Sequence, residues 1–301
     1  MTRALILAGG GSRGAFQIGV WKYLTERNWS PDIICGTSVG AINATGIGSG
    51  LDVSTLIRLW TTYNRRKMYQ PRLIPFLSYL LSGRALKPLL DTRPMQTMIS
   101  DHVDFNYLKH NRTKVVISTV NVLTSRPCFF DNSEIRMEHI MASSAMPILF
   151  PWQYIDGVPH WDGGVMANVP LQAALDYGAD EIIIVLLSPV GHTPQAFPGN
   201  VPTALEVVFE QFLSGSYHSA LMASGYEDTP LPSYPLSKHT ILSHTTNAKR
   251  CESHKRHPTI ITLAPGKMLG FKSLLNFSVS QAERLINEGY KTANTHLQSF
   301  I

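Results

Sequence analysis

The sequence has few cysteines and no long apolar run. Cys35, Cys128 and Cys251 are the three cysteines among 301 residues, and their spacing is not that of metal ligands. A disulfide framework is therefore not expected, whereas a reducing compartment is. No stretch approaches the roughly 18 unbroken apolar residues that cross a bilayer. The apolar run over 4–8 is too short for a secretory signal. We expect a cytoplasmic protein that at most touches a membrane peripherally.

Long runs of one charge sign are also missing. Basic residues cluster only in RRK (65–67) and KRCESHKRH (249–257), which are more typical of solvated loops than of a nucleic-acid-binding arm. The hydrophobic content of 44% with 16% charged residues excludes a disordered chain. A formal net charge of +5 favours anionic surfaces such as phospholipid headgroups or nucleic acid, without choosing between them. We expect no nucleic-acid partner.

Two short apolar runs near the N-terminus each precede a helical pattern. Residues 3–8 and 32–38 are largely apolar without alternation, as are strands buried on both faces. Residues 14–28 and 39–50 follow them with helical spacing or with small side chains. Strand, helix, strand and helix within 50 residues predict a βαβ unit with parallel strands.

The remaining segments are assigned from the same periodicities. The final helix opens with Ser280 and Glu283 in capping-box spacing. The fold class is α/β, with one domain over residues 1–301, a helical insertion and a C-terminal helix. We predict strands over 114–122, 181–189 and 259–265, proline-broken helices over 51–113, turns with a short helix over 142–180, a helix over 203–224 and a loop over 227–258.

One part of the insertion, LIPFLSYLLSG (73–83), is notably apolar. A core helix is the simpler interpretation of this segment. The alternative is a surface that contacts lipid.

The pentapeptide GTSVG (36–40) fits G-x-S-x-G, the nucleophile elbow. Such a serine lies on a sharp strand-to-helix turn, with its hydroxyl exposed beside backbone amides. Gly36 and Gly40 suit this turn because a side chain there would clash across it. The pattern alone is weak, but here it follows a predicted strand and precedes a predicted helix. Ser38 is therefore a candidate nucleophile, and the alternative is a serine that only caps the helix.

The opening loop GGGSRG (9–14) raises a second question. Gly9, Gly11 and Gly14 satisfy G-x-G-x-x-G, the spacing of a dinucleotide-binding turn. That turn requires an acidic residue at the end of the second strand. Asp32 lies at the start of that strand, and Ser38 follows its end.

The geometry of parallel strands suggests another role for this loop. Carboxyl ends of parallel strands lie at one edge of the sheet, so the glycine loop and Ser38 are expected to be neighbours. The bare amides of Gly10 and Gly11 then suit an oxyanion formed when Ser38 attacks a carbonyl. Arg13 adds positive field there or shapes the loop, and the alternative is a surface or salt-bridging residue.

A serine nucleophile needs a base. None of the eleven histidines lies in a motif that places it near Ser38, although His160 is the nearest to interesting sequence. Asp162 precedes Gly163 and Gly164 in WDGGV, which by itself is an ordinary turn signature. An unperturbed aspartate, with a pKa near 3.9, matches a serine proton poorly, so Asp162 can serve as the base only if burial raises its basicity or if proton transfer is concerted with attack.

The ordered motifs GGGSRG, GTSVG, ASSAMPILFPW (142–152) and DGG (162–164) together resemble the patatin-like phospholipase family. The resemblance covers roughly residues 4–190 and is specific. It implies a three-layer α/β/α fold with a mainly parallel sheet. It also implies a lipid acyl hydrolase of the phospholipase A or lysophospholipase type.

The resemblance assigns roles to individual residues. It implies Ser38 as nucleophile and Asp162 as its base, in a dyad without histidine. It implies an oxyanion loop over 9–14, with Gly9, Gly10, Gly11 and Arg13 as the candidate oxyanion residues. ASSAMPILFPW is expected to shape the acyl pocket. The scheme requires no metal and no cofactor.

Other functions stay open at this point. A Ser–His–Asp triad needs a histidine after the acid in chain order. A nucleotide binder lacks its ribose-binding acid. A neutral glyceride or short-chain esterase and a non-catalytic lipid-binding protein share the same motifs. Head-group choice and oligomeric state are not readable from the sequence.

Overall fold

The computed structural model describes residues 1–71, 88–190, 198–225, 243–244, 258–267 and 269–301. The apolar segment 73–83 lies outside these residues, as does almost all of the predicted loop 227–258. The predictions made for both therefore stay predictions.

Strands and helices alternate through most of the chain. The strands are β1 Arg3–Leu7, β2 Ile33–Thr37, β3 Gln70–Pro71, β4 Leu90–Asp91, β5 Lys114–Asn121, β6 Arg126–Asp131, β7 Gln153–Ile155, β8 Val158–Asp162, β9 Glu181–Val185, β10 Ser243–His244 and β11 Thr259–Leu263. The helices are α1 Ala15–Glu26, α2 Val39–Gly48, α3 Val53–Thr62, α4 Arg65–Met68, α5 Arg93–His102, α6 Phe105–His110, α7 Met137–Ser143, α8 Leu171–Asp176, α9 Val201–Ala223 and α10 Val279–Leu297. Among these described helices, none is both long and apolar enough to traverse a bilayer.

The central sheet is mainly parallel, as predicted. Its order is β10-β11-β9-β1-β2-β5-β8-β7. Strand β6 lies outside this order and also pairs with β5. The strands from β11 to β5 run parallel to one another, while β6, β7, β8 and β10 pair antiparallel to their neighbours. The βαβ unit predicted near the N-terminus is present, because β1 and β2 are parallel neighbours joined by α1.

Helices cover both faces of this sheet. Along β1, Leu5 and Leu7 belong to one buried cluster, while Ala4 and Ile6 belong to the other. The first cluster includes side chains from α1, α2 and α10, and the second includes side chains from α8 and α9. This alternation explains why the strand sequences are continuously apolar. The predicted three-layer α/β/α architecture is confirmed.

Three local predictions are wrong. The stretch 51–113 is not helical throughout, because β3 and β4 within it pair as a small antiparallel sheet. Residues 153–162 form the hairpin of β7 and β8 rather than turns alone. The last helix begins at Val279, and its cap is Ser278, whose hydroxyl accepts a 3.3 Å hydrogen bond from the Gln281 amide. Ser280 lies inside the first turn, so the capping box with Glu283 does not form. Both Ser278 and Ser280 lie near the start of this helix, and the capping-box spacing pointed to Ser280 instead of Ser278.

Candidate active site

Ser38 occupies the turn between β2 and α2. Its backbone has φ 56° and ψ −124°, a conformation that is unusual for a residue with a side chain. Its amide donates to the Ser143 hydroxyl at 3.0 Å, which ties the turn to the end of α7. The turn therefore has the strained strand-to-helix geometry of a nucleophile elbow. Ser38 is buried but not sealed, since 8% of it is exposed.

The glycines on either side of Ser38 allow the turn to be this tight. A Cβ at Gly36 would run into the Gly40 carbonyl oxygen, and a Cβ at Gly40 would run into the Leu7 carbonyl oxygen. The first approach closes the elbow on itself. The second presses the N-terminal turn of α2 against β1. Neither position has room for a side chain.

Asp162 reaches Ser38 because two strands share one edge of β5. The first five residues of β5 pair with β2, ending with Ser118 opposite Thr37. From Thr119 onward, β8 takes over that edge in the antiparallel direction, and Thr119 pairs with Asp162. The last residue of β8 therefore lies beside the last residue of β2.

The Ser38 hydroxyl donates to Asp162 Oδ2 at 2.7 Å. The other carboxylate oxygen, Oδ1, accepts the Gly164 amide at 2.7 Å, which orients the carboxylate within its turn. Gly163 makes this turn possible, since a Cβ there would run into the Ser118 hydroxyl. Burial raises the pKa of Asp162 to about 7, although the hydrogen bonds from Ser38 and Gly164 act in the lowering direction. The carboxylate is thus a far better proton acceptor than an exposed aspartate.

The N-terminal glycine loop lies against Ser38. An added Cβ at Gly9 would lie 3.1 Å from Ser38 Cβ. The Gly9 amide donates to Asn168 Oδ1 at 3.0 Å. The amides of Gly10 and Gly11 donate no hydrogen bond to any atom of the described chain. Gly11 has φ +58° and faces the Leu274 carbonyl. A side chain there is disfavoured both by the backbone conformation and by a clash with that carbonyl.

Arg13 anchors this loop to later parts of the chain. Its side chain is fully buried and forms an ion pair with Glu210. The same guanidinium donates to the Gly270 carbonyl at 2.9 Å and to the Ser273 hydroxyl at 2.7 Å. These partners use its donors, so the expected direct oxyanion role does not fit Arg13. Shaping the loop, the second predicted role, fits the contacts.

The four residues predicted for the oxyanion site differ in whether their donors are already engaged. The donors of Gly9 and Arg13 are engaged with protein groups, whereas those of Gly10 and Gly11 are not. Gly14, the last glycine of the loop, serves packing. A Cβ there would meet Val39 Cγ2 at 2.6 Å and the Trp60 ring at 2.9 Å.

Two cavities meet at Ser38 and Asp162, and both are also lined by Met146 and Leu149. The outer cavity has a volume of about 390 Å³ and is also lined by Gly9, Gly10 and Asn168. Ile148 and Phe212, which are 53% and 46% exposed, stand at its side. The inner cavity, of about 40 Å³, is lined by Gly11, Tyr69, Leu275 and Phe277 in addition to the shared residues.

The model of the patatin-like phospholipase family matches residues 5–175, more than half of the chain. The chain belongs to the patatin-like phospholipase family. A cGAMP-activated phospholipase of Vibrio cholerae serotype O1 is 30% identical over 201 residues, which are 56% of this chain and 55% of that protein. Lysophospholipase nte1 of Aspergillus terreus is 25% identical over 273 residues, which are 87% of this chain and 16% of that protein. The solved structure of VipD from Legionella pneumophila aligns with a TM-score of 0.46 and 14% identity, covering 99% of this chain and 67% of that chain.

The chain spans about half or less of the length of these curated relatives. The family match ends at residue 175, whereas the partners of Arg13 lie beyond it. The Arg13 side of the glycine loop in this patatin-like chain is thus held by residues outside the matched segment.

Three functional neighbours of the patatin-like site were missed from the sequence. Ser143 binds the Ser38 amide, and Asn168 binds the Gly9 amide. The Ser144 hydroxyl is buried beside the inner cavity and finds no partner among the residues that the structure describes. Ser143 and Ser144 stand in the ASSAMPILFPW motif, which is the one signal available. Asn168 follows DGG by four residues, and nothing in its sequence context marks it.

The histidines that the structure describes do not line the cavities beside Ser38. None is found among the described residues that line the inner or outer cavity. His160 Nδ1 lies 2.8 Å from the Thr119 hydroxyl, and burial lowers the pKa of this imidazole. His160 is thus held within the sheet.

The nucleotide-binding alternative is also not favoured. Asp32 precedes β2, where its carboxylate accepts the Arg3 amide at 2.8 Å, at the far end of the strand from Ser38. Across the described ranges, no three metal-ligating side chains come together.

Proposed function

We propose that this chain is a lipid acyl hydrolase that cleaves carboxylic esters of phospholipids or lysophospholipids through an acyl-enzyme on Ser38. The observation that carries the proposal is the 2.7 Å hydrogen bond from the Ser38 hydroxyl to a buried Asp162 carboxylate with a pKa of about 7. Membership of the patatin-like family and relatives named as phospholipases support the substrate class. The proposal includes transient contact with a lipid surface, where such substrates reside.

The first half of the reaction forms the acyl-enzyme. Ser38 Oγ attacks the ester carbonyl carbon while its proton passes to Asp162 Oδ2. The carbonyl oxygen becomes an oxyanion and accepts hydrogen bonds from the Gly10 and Gly11 amides. One such donor typically contributes about 2.7–4 kcal/mol to transition-state stabilisation. The tetrahedral species collapses, and the leaving alcohol takes the proton from Asp162.

The second half regenerates the enzyme. Asp162, ionised again, accepts a proton from water, whose oxygen attacks the acyl carbon. The same amides hold the second oxyanion. Collapse breaks the bond to Ser38 Oγ, which recovers its proton from Asp162, and the fatty acid leaves. Orientation by Gly164 keeps one carboxylate oxygen free for each proton transfer.

Two measurements test the proposal. The purified chain is incubated with mixed lipids and the products are identified by mass spectrometry. A fluorophosphonate probe then reports whether Ser38 is a reactive nucleophile. We expect released fatty acid and labelled Ser38, and at least about 10³-fold loss of turnover in both Ser38→Ala and Asp162→Asn.

Matched variants keep the test specific. Ser133→Ala and Asp156→Asn change an exposed serine and an exposed aspartate, and both should retain activity. Near-normal turnover in Asp162→Asn would contradict the dyad and direct attention to a histidine, beginning with His160. Labelling without release of any fatty acid would favour a lipid-binding role. Release from glycerides or short esters alone would point to a different esterase.

A further inference from the structure

A third cavity continues the inner cavity away from Ser38. This deep cavity has a volume of about 50 Å³ and shares Val39, Ile42, Met68 and Phe277 with the inner cavity. Its far end is lined by Gly46, Leu51, Leu56, Leu59 and Val103. An apolar path therefore leads from the Ser38 hydroxyl into the space between α2, α3 and α5.

Helix α2 sets the direction of this path. Ser38 precedes the helix, and Ile42 and Gly46 follow at intervals of four residues, so the three positions share one face. Eight residues of α-helix extend about 12 Å. The path from the nucleophile to Gly46 thus runs along one side of a single straight element.

Two polar side chains beside the deep cavity make hydrogen bonds to the protein. Asn43 donates to the Gly14 carbonyl and to Gln17, and it accepts from the Trp60 indole at 3.0 Å. His102 Nδ1 lies 2.8 Å from the Met98 carbonyl. The surface left facing the space is hydrocarbon, which binds an alkyl chain and offers nothing to a polar head group.

The outer cavity differs from the slot in size and in exposure, although its lining is also mainly apolar. It is several times larger, and its wall includes backbone of Gly9 and Gly10 together with the Asn168 amide. Its exposed Ile148 and Phe212 place it toward solvent. This cavity suits the bulky alcohol part of the ester, and the narrow apolar path suits the acyl part.

We propose that the inner and deep cavities form an acyl slot, and that Ile42 and Gly46 set the length of acyl chain that the enzyme accepts. The inference rests on the proposed function and names its specificity-determining residues. The slot is narrow, so the chain enters by displacing side chains. Met68, between the two cavities, is flexible enough to move aside. The slot ends where Leu51 and Leu56 lie opposite Gly46. A Cβ added at Gly46 would lie 3.2 Å from Leu56 Cδ2 and 3.6 Å from Leu51 Cδ1, so there is little space left at this end.

The test compares hydrolysis of p-nitrophenyl esters from butyrate to palmitate. Gly46→Val should fill the far end and lower kcat/KM for long relative to short chains by about tenfold. Ile42→Ala should widen the slot and shift the preference toward longer chains. Ile47→Ala, the same truncation on another face of α2, should leave the preference unchanged. Gly46→Ala gives a milder variant if the valine prevents folding.

The outcomes separate the two proposals. Wild-type protein without Ser38-dependent hydrolysis of any ester overturns the proposed function and the slot with it. Normal butyrate hydrolysis with an unchanged chain preference in Gly46→Val and Ile42→Ala overturns the slot alone. A crystal structure of the Ser38 adduct with a dodecyl phosphonate should show the alkyl chain beside Ile42 and Phe277. An alkyl chain in the outer cavity would reverse the assignment.

Discussion

The Arg13 guanidinium and the Glu210 carboxylate form an ion pair in which the two side chains are 0% and 2% exposed. The pair links the glycine loop beside Ser38 to α9, nearly 200 residues later in the chain. Taking both charges out of water offsets much of their attraction, so the pair itself adds little net stability. Its effect is conformational, since Arg13 has no place for its charge unless the loop and α9 are docked.

Removing one charge of this pair should be strongly destabilising. Glu210→Gln leaves the guanidinium buried without a counter-charge, and we expect a loss of about 3–5 kcal/mol in the free energy of unfolding. Urea denaturation measures it. Glu138→Gln, which breaks the exposed contact with Arg136, is the matched control and should leave the urea midpoint unchanged. Equal effects of the two substitutions would contradict the argument.

Activity should depend on pH through Asp162. The carboxylate accepts the Ser38 proton only when ionised, and burial raises its pKa to about 7. We therefore expect kcat/KM for a short ester to fall about tenfold per pH unit below 7 and to level off above it. His160→Gln should keep the same midpoint. A midpoint near 4 would mean that the base is an ordinary solvated carboxylate.

The same carboxylate should make stability depend on pH with the opposite trend. The pKa of Asp162 is higher in the folded chain than the ordinary 3.8, so the folded state holds this proton more tightly. Its stabilising contribution is complete below about pH 4 and is lost as the pH rises to 7. At about 1.4 kcal/mol per pH unit, falling off near pH 7, wild type loses roughly 2 kcal/mol between pH 5 and pH 7 and roughly 3 kcal/mol by pH 8 through this group.

Asp162→Asn removes that pH dependence. Comparing the free energy of unfolding of the variant with that of wild type at two pH values therefore isolates the contribution of Asp162. We expect the variant to gain about 3 kcal/mol relative to wild type when urea unfolding is repeated at pH 8 instead of pH 5. Titration of all other groups is common to both proteins and cancels. Asp156→Asn, at a carboxylate that is 78% exposed, serves as the control. A constant difference at the two pH values would mean that Asp162 is not destabilised as an anion.

The elements that depend on local pattern were predictable. Continuous apolar runs gave β1, β2 and β9, and the glycines around Ser38 gave the elbow. The rule that parallel strands end at one edge also placed the glycine loop beside Ser38, where Gly9 lies. These inferences need only the chain's periodicity and the handedness of βαβ units.

What depends on distant partners was not predictable. VPHWD, the sequence of β8, has a proline and two polar residues, and it pairs with only three residues of β5. That short pairing, which tertiary packing decides, is what carries Asp162 to Ser38. Likewise, no local pattern shows that Asn168 occupies the Gly9 amide or that Glu210 engages Arg13. The free donors at Gly10 and Gly11 are visible only once those partners are in place.

Asn168 should matter for catalysis through the loop it holds. Its side chain accepts the Gly9 amide, next to the two amides that face the oxyanion in the proposed reaction. Asn168→Ala should free that amide and misplace its neighbours, lowering kcat about tenfold with KM little changed. The control is Asn200→Ala, which removes the exposed cap of α9 and should reduce stability without reducing kcat. A similar fall in kcat in both variants would indicate a general loss of folded protein.

The backbone of Ser38 should store measurable strain. Its φ of 56° and ψ of −124° suit glycine far better than any residue with a Cβ, and such conformations typically cost about 1–3 kcal/mol. Ser38→Gly and Ser38→Ala should both be inactive, but the glycine variant should be the more stable by about 1 kcal/mol in urea unfolding. Ser144 borders the same inner cavity but has an ordinary φ of −102°. At this control position the alanine variant should be more stable than the glycine variant, because glycine there only adds conformational freedom to the unfolded chain. If alanine is as stable as glycine at position 38, the elbow is relaxed, and Ser38 is held only by the hydrogen bonds of its hydroxyl to Asp162 and of its amide to Ser143.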